Sequence, residues 1–512
     1  MTLAWNRVPT AWLSLALLLA GACATSTEPT TDERSATPTA TGGSDGGATS
    51  DGAQPGASAT DPFAPQPDES EGLTNVAADL DAVLEHGALE GACDRYRAGA
   101  TDRRTLLACG KWQYFYEPFG TAGVPSAIMK FLSKNFPDEL GLGLEKLGMI
   151  RDPHSVDDLP IGLAPTTPID GNIASHAFTC ASCHFGKLPD GRYAVGAPNH
   201  AFDYGRAILT ISLAPSVGLG RSRASDHDAS AVAKVQPVLD KLSSSLTLKA
   251  KFGLALLPIA SIKQPALTPE VEREYASWGP GTLDFVIAPL PIDDGVHVVG
   301  KMIGLWGLPR PEEIKSSGMA NALLAWSGDT RTLDEFLGGF AIFGGVPAPP
   351  ASTFTPLIEY LHSLRAPSNP NPPDAALVAR GKTLFTTKGC AACHDGPRGS
   401  GKRVYSFDEI GTDRALAKWI DPSLSGNVCC ELGSAVPPGY LKHGVKSPRL
   451  VGTWALGRFL HNGSLTSLEQ LFCISPRPTS HEDALDSGGH DFTCNGLPDD
   501  EKRALIAFLL SH

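Results

Sequence analysis

The residues most able to do chemistry fall in two matching patterns, Cys180-Ala-Ser-Cys183-His184 and Cys390-Ala-Ala-Cys393-His394. In a Cys-x-x-Cys-His motif the two thiols add to the two vinyl groups of a haem as thioethers. The next imidazole is then placed to bind the iron from one face. The competing readings are a redox dithiol, which wants a βαβ setting, and a zinc pair, which wants further Cys-x-x-Cys units rather than a His each time. With 11 Cys and 14 His in 512 residues, about 0.006 such motifs are expected by chance, so two have odds of order 10⁻⁵. The pattern therefore predicts two covalent c-type haems, attached at Cys180, Cys183, Cys390 and Cys393. His184 and His394 are the expected axial iron ligands.

The flanking sequence must hold these motifs in place. Asp374 is suited to N-cap a helix over 375–387 that leads directly into Cys390. Asp499, Asp500 and Glu501 open a terminal helix whose apolar face carries Ala504, Leu505, Phe508 and Leu509. A close crossing of these two helices, the frame of a small cytochrome c domain, explains the small Gly381 and the aromatic Phe385. Residues 371–512 are expected to form this compact C-terminal haem domain. The segment TPLIEYLHSL (355–364) reads as a closing helix, and APSNPNPP (366–373) breaks regular structure after it. Upstream, Val76, Leu80, Val83 and Leu84 have helical spacing, Leu106, Leu107 and 112–115 follow, and 125–148 contain two amphipathic pieces. Gly, Pro and Asp crowd both sides of the first motif, and no alternating strand series stands out. The expected fold is mostly α, with a loop-rich N-terminal haem domain over 73–370.

The first 23 residues predict export. Arg7 precedes a short apolar core, AWLSLALLLA (11–20), and Ala20-Gly21-Ala22 run into Cys23. Small residues before a cysteine suggest a lipobox, with Cys23 acylated as the mature N-terminus; the alternative is ordinary cleavage with Cys23 lost or free. Residues 24–72, rich in Thr, Ser, Gly, Pro, Ala and Asp, are expected to form a disordered tether. The expected location is periplasmic or cell-surface, with the membrane met only through the lipid. No apolar run beyond the N-terminus reaches the roughly 18 residues of a membrane span. The net charge of -13 and the lack of a Lys/Arg-rich tract argue against nucleic acid as a partner. Six further cysteines in an oxidising compartment suggest disulfides, for which sequence leaves about 15 connectivities open. Local closure favours Cys93 with Cys109 and Cys473 with Cys494, leaving the adjacent Cys429 and Cys430 as a vicinal pair or reduced.

Beyond the motifs, a series of ordered segments resembles the superfamily of bacterial di-haem cytochrome c peroxidases, the di-haem enzyme that matures methylamine dehydrogenase, and the secreted di-haem rubber oxygenases. These segments are LPIGL (159–163), CASCHFGKLPDGRYAVGAPN (180–199), WGPGTLD (278–284), WSGDTRTLDEF (326–336), RGKTLFTTKGCAACHDG (380–396), SPRL (447–450), FLHNGSLTSLEQLF (459–472) and GHDF (489–492). The long stretch before the first motif and the spacing between motifs are most similar to the rubber oxygenase branch.

The resemblance implies a haem oxidoreductase, peroxidase- or oxygenase-like, with a reactive N-terminal haem and a C-terminal electron-transfer haem. The peroxidases use a distal Met on the C-terminal haem, but the last methionine here is Met319, before His394. His490, His461, His443, His481 and Tyr440 remain as distal candidates. His490 is preferred, since the rubber oxygenases use a C-terminal-domain His, with His461 in a supporting hydrogen bond. At the first haem the distal side is open or filled by His176, His200 or another residue. Trp278, Phe285 and Trp306 are candidates for lining the haem pocket or bridging the haems, and Arg192, Lys187 and Arg449 for pairing with propionates. Expected partners are a redox protein or a small oxidant, peroxide or O₂. A non-catalytic electron carrier is the alternative.

Overall fold

The computed structural model describes residues 61–512 except 65, 122, 170–171, 258–266, 285–296, 329, 344–346, 348, 418–443 and 480–484. Cys23, Phe285, Cys429, Cys430, Tyr440, His443 and His481 lie outside the described residues, as does the export signal. Pro65–His512 form one compact unit, and the fold is mostly α. Among the described residues no helix is long and apolar enough to cross a membrane.

The unit engages the chain before Leu73. The Gln66 carbonyl accepts from Arg365, Asp68 pairs with the same guanidinium, and Glu69 is held by Arg103 at 2.7 Å and by Arg310. These arginines order a stretch whose composition alone suggests a tether. Val76–Ala77, expected at the start of a helix, instead form strand β1, and the helix begins at Leu80. After short helical turns at His86–Leu89 and Ala92–Arg97 comes helix α1 (Arg103–Tyr116), N-capped by the Asp102 carboxylate, which accepts the Thr105 N–H at 2.9 Å.

Two small antiparallel sheets bracket the first motif. β2 (Val124–Pro125), β3 (Leu163–Ile169) and β4 (Ile173–Phe178) make one, in the order β2-β4-β3. From β4 the chain passes into the one-turn helix α2 (Cys180–His184) and leaves through β5 (Phe185–Lys187), which pairs with β6 (Tyr193–Val195), and β6 with β1. Alternation over two to seven residues is too brief to register as a strand period. α2 sits where two apolar cores meet: Cys183 packs into a core with Phe202, Tyr204 and Trp278, while Ala181 packs into another with Tyr114, Phe185 and Trp306.

Around the second motif, Asp374 caps α3 (Ala375–Thr387) by accepting the Ala376 and Leu377 N–H groups at 2.9 and 3.0 Å. α3 crosses the terminal helix α4 (Asp499–Leu510) with Phe385 and Phe508 rings 5.3 Å apart, and Lys388 pairs with Glu501 at 2.8 Å. The backbones approach so closely at Gly381 that a Cβ there would lie 2.0 Å from the Ala504 carbonyl oxygen. Gly381→Ala is expected to destabilise by about 3 kcal/mol through overpacking, read as a drop in chemical-denaturation midpoint. An unchanged midpoint would show that the helices part without cost.

Candidate functional site

Each motif histidine is oriented by a backbone carbonyl. His184 Nδ1 lies 2.8 Å from the Ile303 oxygen, and His394 Nδ1 lies 2.6 Å from the Gly399 oxygen. A carbonyl only accepts, so Nδ1 carries the proton in both rings and Nε2 keeps its lone pair. This is the tautomer of an imidazole prepared to ligate a metal through Nε2. Burial holds both rings neutral, His184 with its pKa down to about 4 and His394 below the usual imidazole value. The Tyr114 hydroxyl donates to the His184 carbonyl and fixes that turn from the other side.

The thiols are equally suggestive. Burial pushes Cys180 and Cys183 up to about 12 and raises Cys390, so these are neutral thiols. A redox dithiol needs a depressed pKa, and this environment works against one. Among the described residues no three Cys, His, Asp or Glu side chains converge as metal ligands. Cys180, His184 and His394 are deeply enclosed by protein, yet each keeps accessible surface.

A pocket partly open to solvent is lined by Lys301, Ile303, Trp306, Pro448, Arg449 and Arg458 among others. Ile303 holds His184, and the Pro448 carbonyl faces the His394 ring. Burial pulls Lys301 down to about 8. Burial and then Arg398 pull Arg449 down to about 10. Neither is paired with a carboxylate among the described residues, so the pocket is suited to anionic groups. Arg192 and Lys187, the other expected propionate partners, are engaged elsewhere, with Asp190 at 2.6 Å and over the Tyr193 ring. Paired thiols followed by an imidazole whose Nδ1 is held by a carbonyl are, at both motifs, a donor set that fits c-type haem attachment.

No family model, curated protein or solved structure matches this chain. The site has to be read from its own geometry.

His490 lies deep in the C-terminal region and close to His394. Burial first, then the His394 imidazole and the Arg477 guanidinium, push its pKa down to about 3. Its backbone is left-handed (φ 59°), a conformation that costs a non-glycine residue about 1 kcal/mol and is kept only where surroundings enforce it. Arg477 enforces it by donating to the Ser487 and Gly489 carbonyls at 2.9 Å each, and Thr493 donates to the His490 carbonyl. A disulfide joins Cys473 to Cys494 and closes this loop, as another joins Cys93 to Cys109. Cys473→Ser/Cys494→Ser is expected to lower stability by about 3 kcal/mol through loop-closure entropy, with protease cutting inside 474–493 as the readout. Undiminished protease resistance would mean that Arg477 alone holds the loop.

The other candidates divide clearly. His461 Nε2 is 3.2 Å from Asp413 and its Nδ1 3.5 Å from the Thr412 hydroxyl, so both nitrogens face protein groups. Asp413 also accepts from Asn462 at 2.9 Å, and Thr412 donates to Gly488, beside the His490 loop. His176 Nδ1 is tied to Ser126 at 2.7 Å, and His200 Nε2 accepts the Gly457 N–H at 2.8 Å. Trp278 packs edge-on to Tyr275 inside the first core, with its carbonyl taken by Lys234. Trp306 borders the pocket and donates to the Val195 carbonyl at 2.8 Å. Lys301, Ile303, Gly399, Asp413 and Arg477 were not singled out from sequence. Carbonyl acceptors leave no side-chain signature, but a non-glycine Arg398 in left-handed backbone before Gly399 (φ 57°) is a structural mark of the same site.

Proposed function

We propose that this chain is an exported di-haem c-type cytochrome that works as a haem oxidoreductase of the peroxidase- or oxygenase-like kind. The observation that carries this reading is the paired arrangement at the two motifs: two unjoined thiols beside an imidazole whose Nδ1 proton is committed to a backbone carbonyl. Cys180 and Cys183, and Cys390 and Cys393, would hold the two haems, with His184 and His394 as ligands. Bound haem supplies one-electron exchange at iron and, where one face is open, reaction with peroxide or O₂.

The protein's own part is orientation and selection. The Ile303 and Gly399 carbonyls keep each ring in the ligating tautomer and raise its basicity. His490, near His394, would close the far side of the C-terminal site and so suit that site to electron transfer. At the first site His200 has its Nε2 occupied by Gly457 but an unpartnered Nδ1, and His176 has its Nδ1 on Ser126. The catalytic role proposed for that site rests on the resemblance to the di-haem enzymes, and the electron carrier is the alternative. Lys301 and Arg449 would neutralise carboxylates entering the pocket.

The test is CO binding to the reduced, purified protein followed by absorption spectroscopy. About one CO per chain is expected, with bleaching or spectral change on peroxide addition. No CO uptake and no response to peroxide would leave the electron-carrier reading standing instead.

A further inference from the structure

One short strap, residues 303–307, links the surroundings of the two motif histidines. At its start the Ile303 carbonyl accepts from His184. The Gly304 and Trp306 carbonyls accept from Arg449 Nη2 and Nε at 3.0 and 2.9 Å. At its end the Gly307 carbonyl accepts from Arg398 Nε at 2.7 Å. Both arginines also belong to the surroundings of His394. Arg398 adjoins Gly399, whose carbonyl takes the His394 proton, and Arg449 follows Pro448, whose carbonyl faces the same ring. The Leu450 N–H donates to the Arg398 carbonyl at 2.8 Å and locks the two arginine segments together.

Two features show that this arrangement is held against resistance. Arg398 keeps the left-handed backbone noted above, and Glu313 fixes its guanidinium at 2.7 and 2.9 Å. Arg449 is a deeply set cation with no carboxylate partner among the described residues, held in the protein by the two strap carbonyls. A planar guanidinium suits that double contact, and an ammonium cannot make it in the same way.

We infer that Arg449 and Arg398 clamp the 303–307 strap against both iron-ligand imidazoles, so that the redox properties of the two sites are set jointly. Arg449 is a positioning residue for both. This inference rests on the di-haem reading. Proximal imidazole hydrogen bonding tunes iron potential. Displacing the strap therefore alters the Ile303 bond to His184 and, through the Arg398–Leu450 link, the Gly399 bond to His394. The positive charge also favours reduction at both sites.

The test measures midpoint potentials of both haems by spectroelectrochemistry in the exported holoprotein, with covalent haem counted by mass. In R449Q both haems are expected to remain attached. Both potentials should fall, the ferric-to-ferrous ratio at fixed potential rising about tenfold, or 59 mV for one electron. R449K keeps the charge but loses the double contact, and should move both potentials by a smaller, measurable amount. If R449Q does not retain its haems, R449K decides alone. A shift at only one haem, unmoved potentials with a lowered Tm, or an R449K protein identical to wild type would overturn the clamp. A wild-type chain without two haem masses would overturn the di-haem reading beneath it.

Discussion

The Cys390→Ala/Cys393→Ala protein is expected to leave the cell with one covalent haem mass where the parent carries two, and Cys180→Ala/Cys183→Ala with the other one. The effect is large because the linkage is all or none: without thiols no thioether forms to that haem's vinyl groups. Intact protein mass spectrometry reads it directly, and haem stain after denaturing electrophoresis should halve. The two variants should also differ in spectrum. Loss of the haem at His184 should remove the CO-reactive fraction, while loss at His394 should spare it. The Cys473–Cys494 and Cys93–Cys109 disulfides are untouched by either change, so altered thiol pairing does not confound the result. Two haem masses in either variant would refute the assignment of the sites.

His490→Ala should convert the C-terminal haem from low-spin to high-spin and raise CO uptake from about one to about two per chain. The nearby His394 imidazole helps hold His490 in its neutral form, and its loop is fixed by Arg477, Thr493 and a disulfide. Removing the ring leaves that side without a ligand, because His461 is committed to Asp413 and Thr412. His461→Ala should therefore keep the low-spin signal, and its cost should appear in stability, since Asp413 loses a partner in a buried cluster. EPR of the oxidised variants separates the cases. A high-spin signal in His461→Ala with none in His490→Ala would exchange their roles.

Much of this arrangement was legible because it is written locally. Cys-x-x-Cys-His is a contiguous motif, Asp374 sits at the cap of its helix, and Gly381 marks the crossing with the terminal helix. Cys93–Cys109 and Cys473–Cys494 close short loops, at separations of 16 and 21 residues, so proximity in sequence favours the pairs that the structure forms. What stayed hidden is non-local or made by the backbone. The sheets around the first motif use strands as short as two residues, below any readable period, and Val76–Ala77 gave up helical spacing for an edge on β6. The 303–307 strap acts through carbonyl oxygens, which every residue has. Glu69 is ordered by arginines 34 and 241 positions away.

The eight cysteines placed in the structure divide into four that are joined and four that stay as thiols. In an oxidising compartment that division is a problem of timing. Cys180 and Cys183 are neighbours on one helical turn and would meet sooner than cysteines 16 or 21 residues apart. Once joined they could no longer take up a haem. If the motifs carry haem as proposed, the motif pairs must be kept reduced and haem added before the chain packs. The enclosed positions of Cys180 and Cys183, unreactive as neutral thiols in the finished fold, would admit no later repair. On the proposed di-haem reading, biogenesis would depend on a thiol-reducing and haem-delivering step acting on the unfolded chain, ahead of the oxidation that closes the loop around His490.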